Sequence, residues 1–290
     1  MGGGRAVLND QEIAYVEIAG SGPVLLLLHG IGGSVTAWDS VLPRLARAGA
    51  HVVALDLPGH GESGKGHGDY SLGSLACTVR DLMDHLGLDR VILVGHSLGG
   101  GIAMQFAYQF PERVEGLVLV ASGGLGREAS VFLRAASLPG AELVIRALAH
   151  PRTVSAIAAY GKVAGRIRGR ELELSSDDGL TTLRDLRDPE TRTAFLATLR
   201  SVVDVSGQRV SAVGKLSAAS HLPTLLIWGD LDPIIPCEHG RQTVEQLPGG
   251  RLVMFPGAGH EPHRFDPERF ADLLLEHAGV VGAASVSGSP

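Results

Sequence analysis

Hydrophobic residues in this chain fall into short unbroken runs, separated by stretches in which they recur at steps of three and four. The runs are VLLLL at 24–28, HVVAL at 51–55, RVILV at 90–94, GLVLV at 116–120, PTLLIW at 223–228 and LVMF at 252–255. Apolarity that continues rather than alternates predicts strands buried on both faces. Between two of these runs, Leu72, Leu75, Ala76, Val79, Leu82, Met83 and Leu86 share one face of a helix. Strand and helix alternate, which predicts an α/β fold with a mostly parallel central sheet flanked by helices. The stretch EIAYVEIAG at 12–20 alternates instead, as an antiparallel edge hairpin would.

The rhythm breaks between Ser122 and Ala219. No strand-like run appears there, and the apolar residues (Val131, Phe132, Ala135, Ala136; Leu143, Val144, Ala147, Leu148; Val154, Ile157, Ala158) follow helical spacing. An all-helical insertion at 122–219 is expected, dividing a core made of 1–121 and 220–278. Its first part, Gly123 to Gly165, carries five basic and two acidic residues, which we read as a solvated face. The tail from Gly279, GVVGAASVSGSP, is small and uncharged, and is expected to fray.

Composition narrows the function. A length of 290 residues is near the upper limit for one hydrophobic core. A net charge of −6 leaves no basic stripe for nucleic acid, so the expected partner is a small molecule, and a homodimer is compatible with the chain. Two cysteines, Cys77 and Cys237, are too few for a disulfide scaffold or a four-cysteine zinc site. The start MGGGR has no apolar stretch behind it, and no run approaches the roughly 20 residues that span a bilayer, so no stable membrane insertion is expected and a cytoplasmic location is. Forty glycines with only 4% aromatic residues imply a core of Leu, Val, Ile and Ala and many tight backbone sites.

The chemistry concentrates in a few loops. Gly95-His96-Ser97-Leu98-Gly99 follows the RVILV run and leads into the helix-forming IAMQFAYQF, the strand, G-x-S-x-G, helix order of a nucleophile elbow. A turn this sharp strains the backbone at Ser97 and leaves no room for side chains two residues either side. It lifts the hydroxyl clear of the sheet at a helix N-terminus, where amides can stabilise an oxyanion. A serine needs a base, and the base an orienting acid. His260, in GAGHEPH after the last apolar run, has the best position among twelve histidines, with His263 its competitor. For the acid, WGDLDPIIP offers Asp232 and Asp230; Asp232, before Pro233, is the loop-presented one, and Asp230 suits a turn cap. The alternative site after the strand ending near Val120 reads Ala121-Ser122 and offers no carboxylate.

With LLLLHGIGG at 25–33, ALDLPGHGES at 54–63, GHSLGG at 95–100, WGDLDPIIP at 228–236 and GAGHEPH at 257–263, residues 10 to 278 resemble the α/β-hydrolase family. The order Ser97, Asp232, His260 is the family's order. The resemblance implies a triad of these three, oxyanion donors at the amides of Ile31 and Leu98 with Gly32 as the fallback, and a cap formed by 122–219 over Ser97. It implies no metal and no cofactor. Ser97 stands where haloalkane dehalogenases and epoxide hydrolases carry Asp. Glu261 follows the histidine where the carbon–carbon hydrolases of ring-fission products commonly have Trp. Carboxylic ester hydrolysis is therefore the expected reaction, on a small to medium hydrophobic acyl or aryl ester, with dienone acid or lactone cleavage as alternatives.

Rival readings fit less well. Gly59 to Lys65 fits G-x-x-x-x-G-K, but Gly66 stands where Ser or Thr would hold Mg²⁺. Gly30, Gly32 and Val35, with Asp56 beyond, approach a dinucleotide fingerprint and keep an NAD-dependent oxidoreductase as an alternative of another class, against which Val35 in the third glycine position argues. His260 to His263 has the wrong spacing for H-E-x-x-H. A non-catalytic ligand-binding protein is a third possibility, which an intact Ser, His and Asp set opposes.

Overall fold

The computed structural model describes residues 2–66, 68–168, 177–215 and 221–287. Eight strands form one sheet: β1 (Gly2–Leu8), β2 (Gln11–Ile18), β3 (Val24–Leu28), β4 (His51–Leu55), β5 (Val91–His96), β6 (Val114–Val120), β9 (Thr224–Gly229) and β10 (Arg251–Phe255). Two further strands, β7 (Val203–Asp204) and β8 (Gly207–Gln208), make a small separate hairpin. The sheet order is β1-β2-β4-β3-β5-β6-β9-β10. From β4 to β10 all neighbours are parallel, and β2 and β1 join antiparallel at one edge.

Each apolar run is a strand because both of its faces are covered. In β3, Leu26 and Leu28 join the layer of Leu75, Val79 and Ile102, while Leu25 and Leu27 join that of Trp38, Leu45 and Phe270. All four leucines are fully buried, each burial contributing about 2 kcal/mol. One face carries α2 (Leu72–His85), α3 (Leu98–Gln109) and α9 (Glu238–Glu245), and the other carries α1 (Leu42–Arg47) and α11 (Pro267–Ser287). The short α10 (Pro262–Phe265) precedes α11. Helix α2 starts where Ser71 caps it, the Ser71 hydroxyl accepting the Ser74 amide at 3.4 Å.

Three features depart from the sequence expectation. Strand β1 was not foreseen: its glycines hide it, and the two-residue turn at Asn9 (φ 49°) and Asp10 (φ 62°) pairs it to β2. The tail was expected to fray from Gly279, yet α11 continues to Ser287, anchored by Val281, which is 1% exposed. Gly116 admits it, since a Cβ there would come within 2.9 Å of Val281. Third, the segment between β6 and β9 carries α4 (Val131–Ala136), α5 (Ala141–Leu148), α6 (Pro151–Arg168), α7 (Asp177–Asp185) and α8 (Pro189–Val202) as expected, and in addition the β7–β8 hairpin. These helices have apolar clusters of their own, one around Ile145, Leu186, Phe195 and Leu199 and one around Val154, Leu180 and Leu183. The expected boundary at 219/220 and His67 lie outside the described residues. Among the described residues, no helix is long and apolar enough to cross a membrane.

Candidate active site

Ser97 links β5 to α3 at φ 52° and ψ −111°, outside the ordinary regions for a residue with a side chain. The surroundings hold it there. Its amide donates to the Val120 carbonyl at 2.9 Å, and its carbonyl accepts the amides of Gly100, Gly101 and Gly123 at 3.1, 3.3 and 2.9 Å. A Cβ at Gly95 would lie 2.3 Å from the Gly99 carbonyl oxygen, and one at Gly99 would lie 2.2 Å from that of Leu28. The sharp turn therefore requires glycine at both positions.

His260 stands in the loop between β10 and α10, its Nδ1 2.7 Å from Asp232 Oδ2. The other carboxylate oxygen of Asp232 accepts the amides of Ile234 and Ile235 at 2.8 and 3.0 Å, and the side chain is fully buried. A carboxylate only accepts, so His260 Nδ1 carries the proton and Nε2 is left with a lone pair. Asp230 instead accepts the Gly257 amide at 2.6 Å, which closes the turn after β10. His263 is fully buried against Trp38, Phe270 and His96, and its ring nitrogens find no partner among the described residues. Burial pushes its pKa down to about 3.

The loop after β3 lies beside the elbow. The amides of Ile31 and Leu98 donate to no acceptor among the described residues, and both residues line one cavity with Ser97. The Gly32 carbonyl accepts from Thr182 Oγ1 at 3.2 Å. His29 and Asp56 build this loop. His29 donates from Nδ1 to the Gly30 carbonyl at 2.7 Å and accepts the Leu57 amide at Nε2 at 3.0 Å. Burial holds its pKa at about 4, so the ring is neutral and both bonds persist at neutral pH. Asp56 accepts the amides of Val35 and Glu62 at 2.6 and 2.7 Å and so joins the loops after β3 and β4. Neither glycine-rich loop is built like a phosphate cradle. Val35–Trp38 is a 3₁₀ turn of four residues rather than a helix, and Lys65 Nζ donates to the carbonyls of Gly61 and Ser63 at 2.6 and 3.3 Å.

Among the described residues, one group of side chains could approach a cation: His96, Glu261 and His263 have donor atoms within 4.8 Å of one another. A tetrahedral zinc ion with bonds of ~2.1 Å holds its ligands about 3.4 Å apart. His96 Nε2, moreover, is already 2.9 Å from the His260 carbonyl oxygen. The grouping is looser than a formed site.

The cavity over Ser97 measures about 50 Å³ and is walled by Ile31, Leu98, Leu133, Leu199, Val203 and Ile235, with Gln208 as its polar side chain besides Ser97. Gln208 is held by the Gly124 amide, which donates to its Oε1 at 2.6 Å, and by the Glu128 carbonyl, which accepts from its Nε2 at 2.9 Å. A larger cleft, about 1340 Å³, runs between the loops after β3 and β4 and helices α7 and α8, and has charged walls that include Asp56, Lys65, Arg184 and Asp188. Volume favours that cleft, but none of the three candidate residues lines it. Ser97 opens onto the small cavity instead.

The sequence profile of the alpha/beta hydrolase fold matches residues 23–267. The chain is 42% identical over 263 residues to an uncharacterized protein of Mycobacterium tuberculosis, covering 89% of this chain and 76% of that protein. It is 30% identical over 279 residues to a 2-hydroxy-6-oxo-6-phenylhexa-2,4-dienoate hydrolase of Burkholderia cepacia, covering 93% of each. Among solved structures it resembles an esterase from a Rhodococcus species, with a TM-score of 0.72, 25% identity, and 97% of this chain and 100% of that one covered.

Proposed function

The chain belongs to the alpha/beta hydrolase fold family, and from that premise we propose that it is a serine hydrolase of carboxylic esters, with Ser97 as nucleophile, His260 as general base and Asp232 as the residue that orients it. The observation that carries this reading is the 2.7 Å bond between His260 Nδ1 and Asp232 Oδ2. It fixes the tautomer, so that Nε2 can take the Ser97 proton as Oγ attacks the carbonyl carbon. The proton then passes to the leaving alcohol, which departs as the acyl-enzyme forms. Water repeats the cycle: His260 takes its proton, the hydroxide adds to the acyl carbon, and Ser97 leaves with that proton. The unbonded amides of Ile31 and Leu98 are the donors for the oxyanion of each tetrahedral intermediate.

The helices between β6 and β9 act as a cap. Small-molecule sites usually run to about 300 Å³ or more, whereas the chamber over Ser97 is about 50 Å³, so an ester enters when this wall shifts. Its lining of Leu, Val and Ile selects a hydrophobic acyl or aryl group. A second reading rests on the likeness to the Burkholderia cepacia dienoate hydrolase, which spans 93% of both chains. Carbon–carbon cleavage on the same serine is the alternative it supports.

Replacing Ser97 with Ala is expected to lower turnover of p-nitrophenyl butyrate by about 10⁴-fold or more and to abolish labelling by a fluorophosphonate probe. Labelling equal to wild type would refute the elbow assignment. A panel of esters, lactones and dienone acids separates the two reactions: the ester reading predicts the highest kcat/KM on p-nitrophenyl esters, and a dienone acid outpacing them all would replace it.

A further inference from the structure

We infer that His96 is a positioning residue, a buried imidazole that keeps the base loop, the nucleophile turn and the oxyanion loop at fixed separations. The inference rests on the serine-hydrolase reading and adds to it a residue outside the proposed triad. His96 is the last residue of β5, immediately before Ser97, and is 5% exposed. Its Nε2 lies 2.9 Å from the His260 carbonyl oxygen, a contact between residues 164 apart in the chain. A carbonyl only accepts, so the proton sits on Nε2 and His96 is the donor. Nδ1 then carries the lone pair and faces Gly30, where a Cβ would lie 3.0 Å from it. The ring thus touches all three loops that converge on the reacting carbonyl: it is part of the elbow, bonds the backbone of the base, and packs on the turn that leads to the Ile31 amide.

The packing around the ring restricts its movement. His263 closes on it at 4.7 Å between centroids and is itself held by Trp38 at 4.8 Å. The His260 ring lies at 4.8 Å on another side. Burial drives the pKa of His96 well below its ordinary value, as it does that of His263, so both rings are neutral when His260 becomes an imidazolium. A charged ring at this distance would oppose that step. A neutral donor holds the loop without raising its barrier.

Positioning predicts a loss in the chemical step rather than in binding. Displacing a reacting group by about 1 Å costs on the order of 10²-fold. Methionine and glutamine are similar in length and volume, and both can fill a buried site, but only glutamine can donate, with its amide nitrogen near the place of Nε2. We expect His96→Met to lower kcat on p-nitrophenyl butyrate and the rate of Ser97 labelling by a fluorophosphonate by about 100-fold, with KM changed less than about threefold and the melting temperature close to wild type. His96→Gln should recover kcat to within about tenfold of wild type. Equal kcat for wild type and His96→Met would overturn the inference, as would a folded His96→Gln no faster than His96→Met. Ser97→Ala in the same series separates the two claims. If Ser97→Ala is inactive while His96→Met matches wild type, only the positioning role fails; if Ser97→Ala turns over like wild type, the serine-hydrolase reading fails with it.

Discussion

On the sheet side of the cavity, Ser97 stands on a turn whose carbonyl accepts three amides, and Asp232 is fixed by the amides of Ile234 and Ile235 before it meets His260. On the helical side, the wall consists of Leu133, Leu199, Val202 and Val203, which pack by apolar contact. Directional bonds define both a distance and an orientation, whereas apolar contact is non-directional and defines a volume. The two regions are suited to different tasks. A reaction coordinate needs the first kind of construction and an entrance needs the second. The same contrast appears at the surface, where the helical segment leaves Val131, Leu143 and Val144 mostly exposed, while the central strands expose almost nothing.

The sheet side is tested most severely at its acid. Asp232→Asn should cut kcat by on the order of 10³-fold, because an amide in place of the carboxylate no longer selects the His260 tautomer or stabilises the imidazolium. Asp230→Asn changes a turn that Gly257 also shapes, and should cost less than about tenfold. Steady-state kinetics on one p-nitrophenyl ester compares them. Equal losses would mean that the acid is not assigned by this geometry, and the contrast between the two regions would lose its best-defined member.

What the sequence could reveal follows the same division. Strands β3 and β4 were legible at their observed bounds because both faces are buried, so their apolarity is continuous. Ser97, Asp232 and His260 were legible as candidates because each lies in a short local pattern, an elbow between two glycines, an Asp-Pro after a strand and a Gly-His loop. The bonds that His96, His29 and Asp56 make were not. Their roles depend on partners brought close by the sheet, such as the His260 carbonyl for His96 and the Val35 amide for Asp56. No spacing along the chain records such a contact. Strand β1 escaped for a different reason: three of its seven residues are glycine, which carries no hydrophobic period.

The helical side is tested by changing its volume. Leu133 is partly buried and lines the chamber, so Leu133→Ala enlarges the site without removing a fully buried anchor. A methylene in an apolar pocket is worth roughly tenfold or more in kcat/KM. The variant should therefore raise the ratio of hexanoate to acetate ester hydrolysis by about tenfold, with the pH profile of kcat unchanged. An unchanged ratio would remove this wall from the acyl site. A shifted pH profile would mean that the two regions are coupled more tightly than their construction suggests.

The smallest effect sharpens the comparison through stability. The neutral buried histidines lie on the sheet side: burial lowers the pKa of His29 to about 4 and those of His60 and His263 to about 3. The segment between β6 and β9 has two histidines, His150 and His221, and both are exposed. In the unfolded chain each of these groups titrates near 6.5. Above that pH the group is neutral in both states and contributes no pH dependence. As pH falls from about 6.5 toward 4 and 3, the unfolded chain takes up protons that the folded chain refuses, and stability is lost. At pH 5 the loss is about 2 kcal/mol for each such histidine. Carboxylates titrate mostly below this window, so the interval from 6.5 to 5 isolates the imidazoles. The melting temperature should fall through that interval, and hydrogen exchange should show the sheet opening before the helical segment. His263→Phe keeps a ring between Trp38 and His96 but cannot take up a proton, so its melting curve should fall by a few degrees less over the same interval. Parallel curves for the variant and the wild type would place the acid sensitivity elsewhere.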